Sequence, residues 1–131
     1  MTGLDTNVLV RYVMQDDPRQ SSRATGLIES LKPEEPGFVP VAVLVELVWV
    51  LSGSYGLDRA QVATVLSTLL RSRELVVDRA QMVTQALKRY SANGADFADA
   101  LIERLSAAAG CSATMTFDAG AVKVGGMTLV R

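Results

Sequence analysis

Five acidic residues are spaced along the chain where catalytic carboxylates would be of use: Asp5, Glu46, Asp96, Asp99 and Asp118. Histidine is absent. That removes Ser-His-Asp and Cys-His catalysis, imidazole general bases and imidazole metal ligands together. Any catalysis must then rest on carboxylates. Acids gathered without a histidine or a balancing lysine repel one another unless a divalent cation neutralises them. An all-oxygen ligand set selects a hard cation, Mg²⁺ or Mn²⁺. Such a site suits phosphoryl chemistry, because the cation makes hydroxide from water and stabilises charge building on phosphate.

Taken singly, each acid also has a plainer reading. Asp5 closes a short strand and opens LDTNVLV, where it could equally cap the helix that follows. Glu46 is the one polar residue of VPVAVLVELVWVL, residues 39–51. Its neighbours one helical turn away, Ala42, Val43, Trp49 and Val50, are apolar, so it reads as a carboxylate facing an apolar interior. There it needs a partner, either a metal or a cation such as Arg11. Asp96 and Asp99, three apart in GADFADALIERL, share one helix face near its N-terminus, with Phe97, Leu101 and Leu105 towards the core. Alone, they read as an N-cap and a first-turn acid favoured by the helix dipole, with Glu103 continuing a solvated acidic face. Asp118 ends SATMTF and precedes Ala119-Gly120, a place where Asp often serves a turn. Thr116, two residues earlier, points to the same side of that strand.

The elements that must position these acids alternate. The pattern predicts a strand over 1–4 and helices over 6–15 and from Asp17-Pro18 to about residue 32. Prolines 33 and 36 end the second helix. A strand at 38–39, the apolar helix to about residue 54, and a helix capped by Asp58 follow. Next come a strand over 74–78, helices over 79–90 and 96–109, and strands over 111–117 and 127–130. Alternation of this kind predicts an α/β fold: a three-layer α/β/α sandwich with a mainly parallel central sheet, in one domain spanning 1–131. In such folds sites form at the carboxyl ends of the strands, the edge that Asp5, Asp118 and the following helix starts would share.

Composition sets the outer limits. The chain has 131 residues, 49% of them hydrophobic, and a mean hydropathy of +0.23. That is rich for a small domain and points to apolar surface covered by a partner. The net charge of −1 gives no broad basic field, so contact with nucleic acid must come from local patches. Arg11, Arg19, Arg23, Arg71 and Arg73 are the candidates, each of which also reads as an ordinary helix-surface arginine. Trp49 and Tyr12 read as core or interface side chains. A single cysteine, Cys111, excludes an intramolecular disulfide and fits a reducing compartment. No leader segment is read at the start, and the run at 39–51 is shorter than the ~20 residues that cross a bilayer. A cytoplasmic protein without membrane attachment is expected.

Four blocks in order, LDTNVLVRYVMQDDP, FVPVAVLVELVWVL, ADFADALIERLSAAAGC and TFD, resemble the PIN-domain nucleases, in particular the VapC-type toxins of bacterial toxin–antitoxin pairs. The resemblance covers the whole chain. It maps the family's acidic quartet onto Asp5, Glu46, Asp99 and Asp118, with Asp96 as an additional acid and Asn7 and Thr116 as polar auxiliaries. It implies a PIN-like fold and a Mg²⁺- or Mn²⁺-dependent endoribonuclease, in which an external water hydrolyses the RNA phosphodiester and leaves 5′-phosphate and 3′-hydroxyl ends. Glu46 would project from its apolar helix into the acidic pocket. A cognate antitoxin, expected on the N-terminal helices, and a second copy of the chain are the implied partners. Two departures stand out: Ala119-Gly120-Ala121 where relatives often carry a charge after the last aspartate, and Gly3 where they have a larger apolar residue. The rival readings are a catalytically silent PIN-like binding module and an aspartate-based phosphatase. The second wants a general acid two residues after Asp5, where Asn7 stands.

Overall fold

Every strand pair in this protein is parallel, so each strand can be reached from its neighbour only by a crossover through helix. The computed structural model describes all residues, 1–131. It consists of two compact units, Met1–Asp78 and Arg79–Arg131.

In the first unit β1 (Thr2–Gly3), β2 (Gly37–Val39) and β3 (Leu75–Val77) form a sheet in the order β1-β2-β3. Bonds from Leu4 N to Phe38 O and from Asp78 N to Val39 O, both 2.9 Å, carry the ladder one residue past β1 and β3. Gly37 lies opposite both Thr2 and Leu75. A Cβ there would come within 2.8–3.0 Å of the side chains of Leu4, Leu31 and Leu75, so glycine lets three leucines close over the middle of the sheet. The first crossover is α1 (Thr6–Met14) and α2 (Pro18–Ser30). The second is α3 (Val41–Trp49), a π-helical turn over Val50–Ser54, and α4 (Arg59–Arg71). Their starts follow the sequence signals. Asp17 accepts bonds from the N–H groups of Arg19 and Gln20, with Pro18 in the first turn, and Asp58 forms a capping box with Gln61. Leu9, Val39, Leu44, Leu47, Leu51, Val62 and Leu66 fill the core.

In the second unit α5 (Ala80–Asn93) and α6 (Phe97–Ala108) pack together. Val83, Ala86, Phe97, Ala100 and Leu101 are buried, and the Tyr90 ring meets Phe97 edge-on with centroids 6.2 Å apart. β4 (Met115–Thr116) and β5 (Thr128–Leu129) pair in parallel. The crossover between them is α7 (Ala119–Val124), a helix the sequence pattern does not predict. Six residues of AGAVKV are too few to show a 3.6-residue period. The expected strand over 111–117 contracts to two paired residues, since only Met115 and Thr116 face a partner strand. The class is α/β with parallel strands, and the strands divide into a three-stranded and a two-stranded ladder.

Glu103 is a correction. It does not continue a solvated acidic face: its side chain is 12% exposed and accepts from Arg89 at 2.9 Å and from Arg104 at 2.6 Å. The hydrogen bonds from Arg104, then Arg89, hold its carboxyl below the usual range. Arg89 also donates to the Gly125 carbonyl at 3.1 Å, tying α5 to the end of α7. Glu103→Ala should cost about 1–2 kcal/mol at neutral pH, since it leaves two half-buried guanidinium groups short of an acceptor. A carboxylate with a depressed pKa gives stability that is present above the ordinary carboxylate range and lost as pH falls through its folded value. Urea midpoints of wild type and variant should therefore converge in acid.

Candidate functional site

The first unit contributes two of the five acids. Asp5 follows β1 and caps α1: its Oδ1 accepts from the backbone N–H of Thr6 at 2.8 Å. Glu46 sits in α3, which packs on α1, and its Oε1 accepts from the hydroxyl of Thr6 at 2.9 Å. One residue therefore holds one oxygen of each carboxylate. Neither acid is ion-paired within the unit. Glu46 is not interior as the sequence suggests. The buried stripe of α3 is Val43, Leu44, Leu47 and Val48, continued by Leu51. That spacing turns Ala42, Glu46 and Trp49 outward, Trp49 at 63% exposure. Nor does Arg11 neutralise Glu46. Its guanidinium pairs with Asp16 at 3.1 Å and bonds Tyr55 and Gln20. The Tyr55 hydroxyl completes this network by donating to Asp16 at 2.6 Å, which draws the Asp16 carboxyl below its ordinary value.

Asn7 is exposed and opens a cleft of about 310 Å³ between α1 and α2, walled by Val8, Ala24 and Leu27 with Arg11, Gln20 and Arg23 at its polar side. Arg19, Arg71 and Arg73 are solvent-exposed on or beside α2 and α4. Tyr12 is half-buried.

The second unit contributes the other three. Asp96 caps α6, its Oδ1 accepting from the Asp99 N–H at 2.9 Å. Asp118 caps α7 through Gly120 N at 2.8 Å, and its own N–H donates to the Thr116 hydroxyl at 3.0 Å. Thr116 thus braces the turn that presents Asp118. Gly120 suits this place, because a Cβ would lie only 3.2 Å from Asp118 Oδ1. Burial pushes the Asp99 carboxyl up, and the charges of Asp96 and Asp118 push it the same way. A raised carboxyl pKa gives stability that is full below the ordinary range and lost as pH rises through the folded value. In EDTA, wild type should therefore lose ground to Asp99→Asn as pH rises above the ordinary carboxylate range, as read from urea midpoints. A difference independent of pH would contradict this electrostatic picture.

The donor chemistry fits a hard divalent cation. Asp5, Glu46, Asp96 and Asp118 each commit one oxygen to a hydroxyl or an N–H within their unit. The remaining oxygens meet no arginine or lysine in an ion pair within either unit. Neither unit by itself gathers three acidic side chains into a metal-holding group. The sequence reading missed Thr6. Its signal was present in the polar run Asp5-Thr6-Asn7 at a strand end, but a buried hydroxyl reaching an acid 40 positions away is invisible to local pattern.

A family model described as "PIN domain" matches residues 4–127, running through both units. A curated protein named VapC ribonuclease, from Aquifex aeolicus (strain VF5), is 29% identical over 101 residues. The match covers 77% of this chain and 75% of that relative.

Proposed function

The chain belongs to the PIN domain family, and on that premise we propose that it is a Mg²⁺- or Mn²⁺-dependent endoribonuclease, the toxin of a toxin–antitoxin pair. The observation that carries the reading is the uncompensated charge on α6. Asp99 is half-buried and flanked by Asp96 and Asp118, with no cation in its unit to neutralise it. A fold keeps such an arrangement at a cost to stability, and a divalent ion removes the cost.

In this reading Asp5, Glu46, Asp96, Asp99 and Asp118 serve a single metal centre in one PIN-like domain. The chemistry a divalent cation supplies there is acidification of water and neutralisation of charge on the phosphate. Thr116 holds the Asp118 turn, and Asn7 offers an amide to the substrate next to Asp5. Arg23, exposed at the rim of the α1–α2 cleft, and Arg19, Arg71 and Arg73 are the candidate phosphate contacts. Arg11 is the weakest of the five, because Asp16, Tyr55 and Gln20 already occupy it.

The relative's name supports RNA as substrate, and with it a cognate antitoxin. Exposed apolar side chains on both units, Trp49 at 63%, Ile102 at 50% and Phe117 at 83%, support coverage by that partner and by a second copy of the chain. No helix is long and apolar enough to cross a membrane, and the single cysteine fits work in a reducing cytoplasm. The test is cleavage of total RNA by protein freed of any partner, with Mg²⁺ or Mn²⁺ against EDTA. Metal-dependent cuts with 5′-phosphate ends are expected. Intact RNA with every metal, together with hydrolysis of a phosphomonoester, would favour a phosphatase; no turnover at all would favour a silent binding module.

A further inference from the structure

Thr6 is a polar residue with almost no access to water. It is 6% exposed, at the first position of α1, among the buried residues Leu4, Leu9 and Val10. A buried hydroxyl needs a partner, and this one finds it on another helix, donating to Glu46 Oε1 at 2.9 Å. The same residue's backbone N–H donates to Asp5 Oδ1 at 2.8 Å. The two carboxylates of the first unit are therefore fastened to opposite ends of one residue. Without that bond Glu46, exposed beside Ala42 and Trp49 on α3, would have the rotamer freedom of any surface glutamate. Fastened, its second oxygen is held in a fixed relation to Asp5.

We infer that Thr6 is a positioning residue: its buried hydroxyl fixes the Glu46 carboxylate relative to Asp5, so that the two act together on a divalent cation. This rests on the metal-dependent reading above and deepens it, because it gives a reason for threonine rather than another small helix former after Asp5. Outer partners that orient metal-binding carboxylates cost about 10–100-fold in affinity or activity when removed. Thr6 itself touches neither metal nor substrate.

The test compares wild type with Thr6→Val, which keeps the shape and removes the hydroxyl, and with Thr6→Ser, which keeps the hydroxyl. Mn²⁺ affinity is read by calorimetry and RNA cleavage by kcat and KM separately. Thermal melts in EDTA check that each variant is folded. Thr6→Val should weaken Mn²⁺ binding about tenfold and lower kcat about 10–100-fold with KM for RNA unchanged, and Thr6→Ser should restore both to within a few-fold. If wild type binds Mn²⁺ and cleaves RNA while folded Thr6→Val does so equally well, the inference is overturned and the metal reading stands. The same holds if Thr6→Ser is as defective as Thr6→Val, because steric fit and not the hydroxyl would then matter. If wild type neither binds Mn²⁺ nor cleaves RNA, the metal reading itself falls and takes the inference with it.

Discussion

Asp5→Asn should abolish metal-dependent RNA cleavage, by about 10²–10³-fold or more, and leave the fold intact. The two halves of that expectation have separate causes. Asparagine caps a helix about as well as aspartate, and its carbonyl oxygen can still accept from the Thr6 N–H, as Asp5 Oδ1 does at 2.8 Å. What disappears is the negative charge that would meet a divalent cation. Alanine would be a poorer probe, since losing the cap costs about 1 kcal/mol in its own right and blurs the cause. Single-turnover cleavage at saturating Mg²⁺, beside a thermal melt in EDTA, separates activity from stability. An Asp5→Asn protein that cleaves within threefold of wild type would remove Asp5 from the metal centre and leave it a helix cap.

Phe97→Ala should be the most damaging core substitution in the second unit, at about 3–5 kcal/mol. The side chain is 1% exposed and meets Tyr90 edge-on across the α5–α6 contact. Its removal leaves a large cavity and forfeits an aromatic pair worth about 0.5–1.5 kcal/mol beyond its buried area. Against a typical total of roughly 5–15 kcal/mol, that is a large fraction of the folding free energy. The position also matters for the site. Phe97 is the first residue of α6, between the Asp96 cap and Asp99. Loosening it frees the turn in which Asp96 Oδ1 accepts from the Asp99 N–H, so activity should fall together with stability. Phe97→Leu, which keeps much of the volume, should cost less than half as much in urea unfolding. A loss under 1 kcal/mol for Phe97→Ala would show that α6 is anchored elsewhere.

Much of this was legible in the sequence because the signals were local. Asp17-Pro18 and Asp58 announced helix starts through cap chemistry, and α2 and α4 begin where those signals put them. Asp96 and Asp118 were readable as helix cap and turn acid, and both do cap helices while also standing near Asp99. The cap and the candidate ligand are not alternatives: a carboxylate has two oxygens, and capping uses one. Glu46 is exposed although its neighbours are apolar, because apolar neighbours do not by themselves mean burial. In a helix as apolar as α3 even the outward face carries Ala42 and Trp49, so composition alone could not separate the faces. Glu103 misled in the opposite direction, since an acid on a seemingly solvated face found Arg89 from α5, 14 residues away. α7 was missed because its cap, Asp118, was recognised as an acid while the six residues after it were too short to carry a period. The misses concern a helix too apolar for composition to separate its faces, a partner distant in sequence, and an element too short for pattern.

Under the proposed function the two carboxylate sets, Asp5 with Glu46 and Asp96 with Asp99 and Asp118, would serve one divalent ion. The most direct measurement is calorimetric titration of Mn²⁺ into wild type, Asp5→Asn and Asp99→Asn, each confirmed folded in EDTA. One binding event is expected in wild type, weakened at least tenfold by either substitution, although the two residues lie on different units. A wild-type isotherm that survives one of the two substitutions unchanged would show that the sets do not share an ion. No Mn²⁺ binding at all would contradict the metal centre outright.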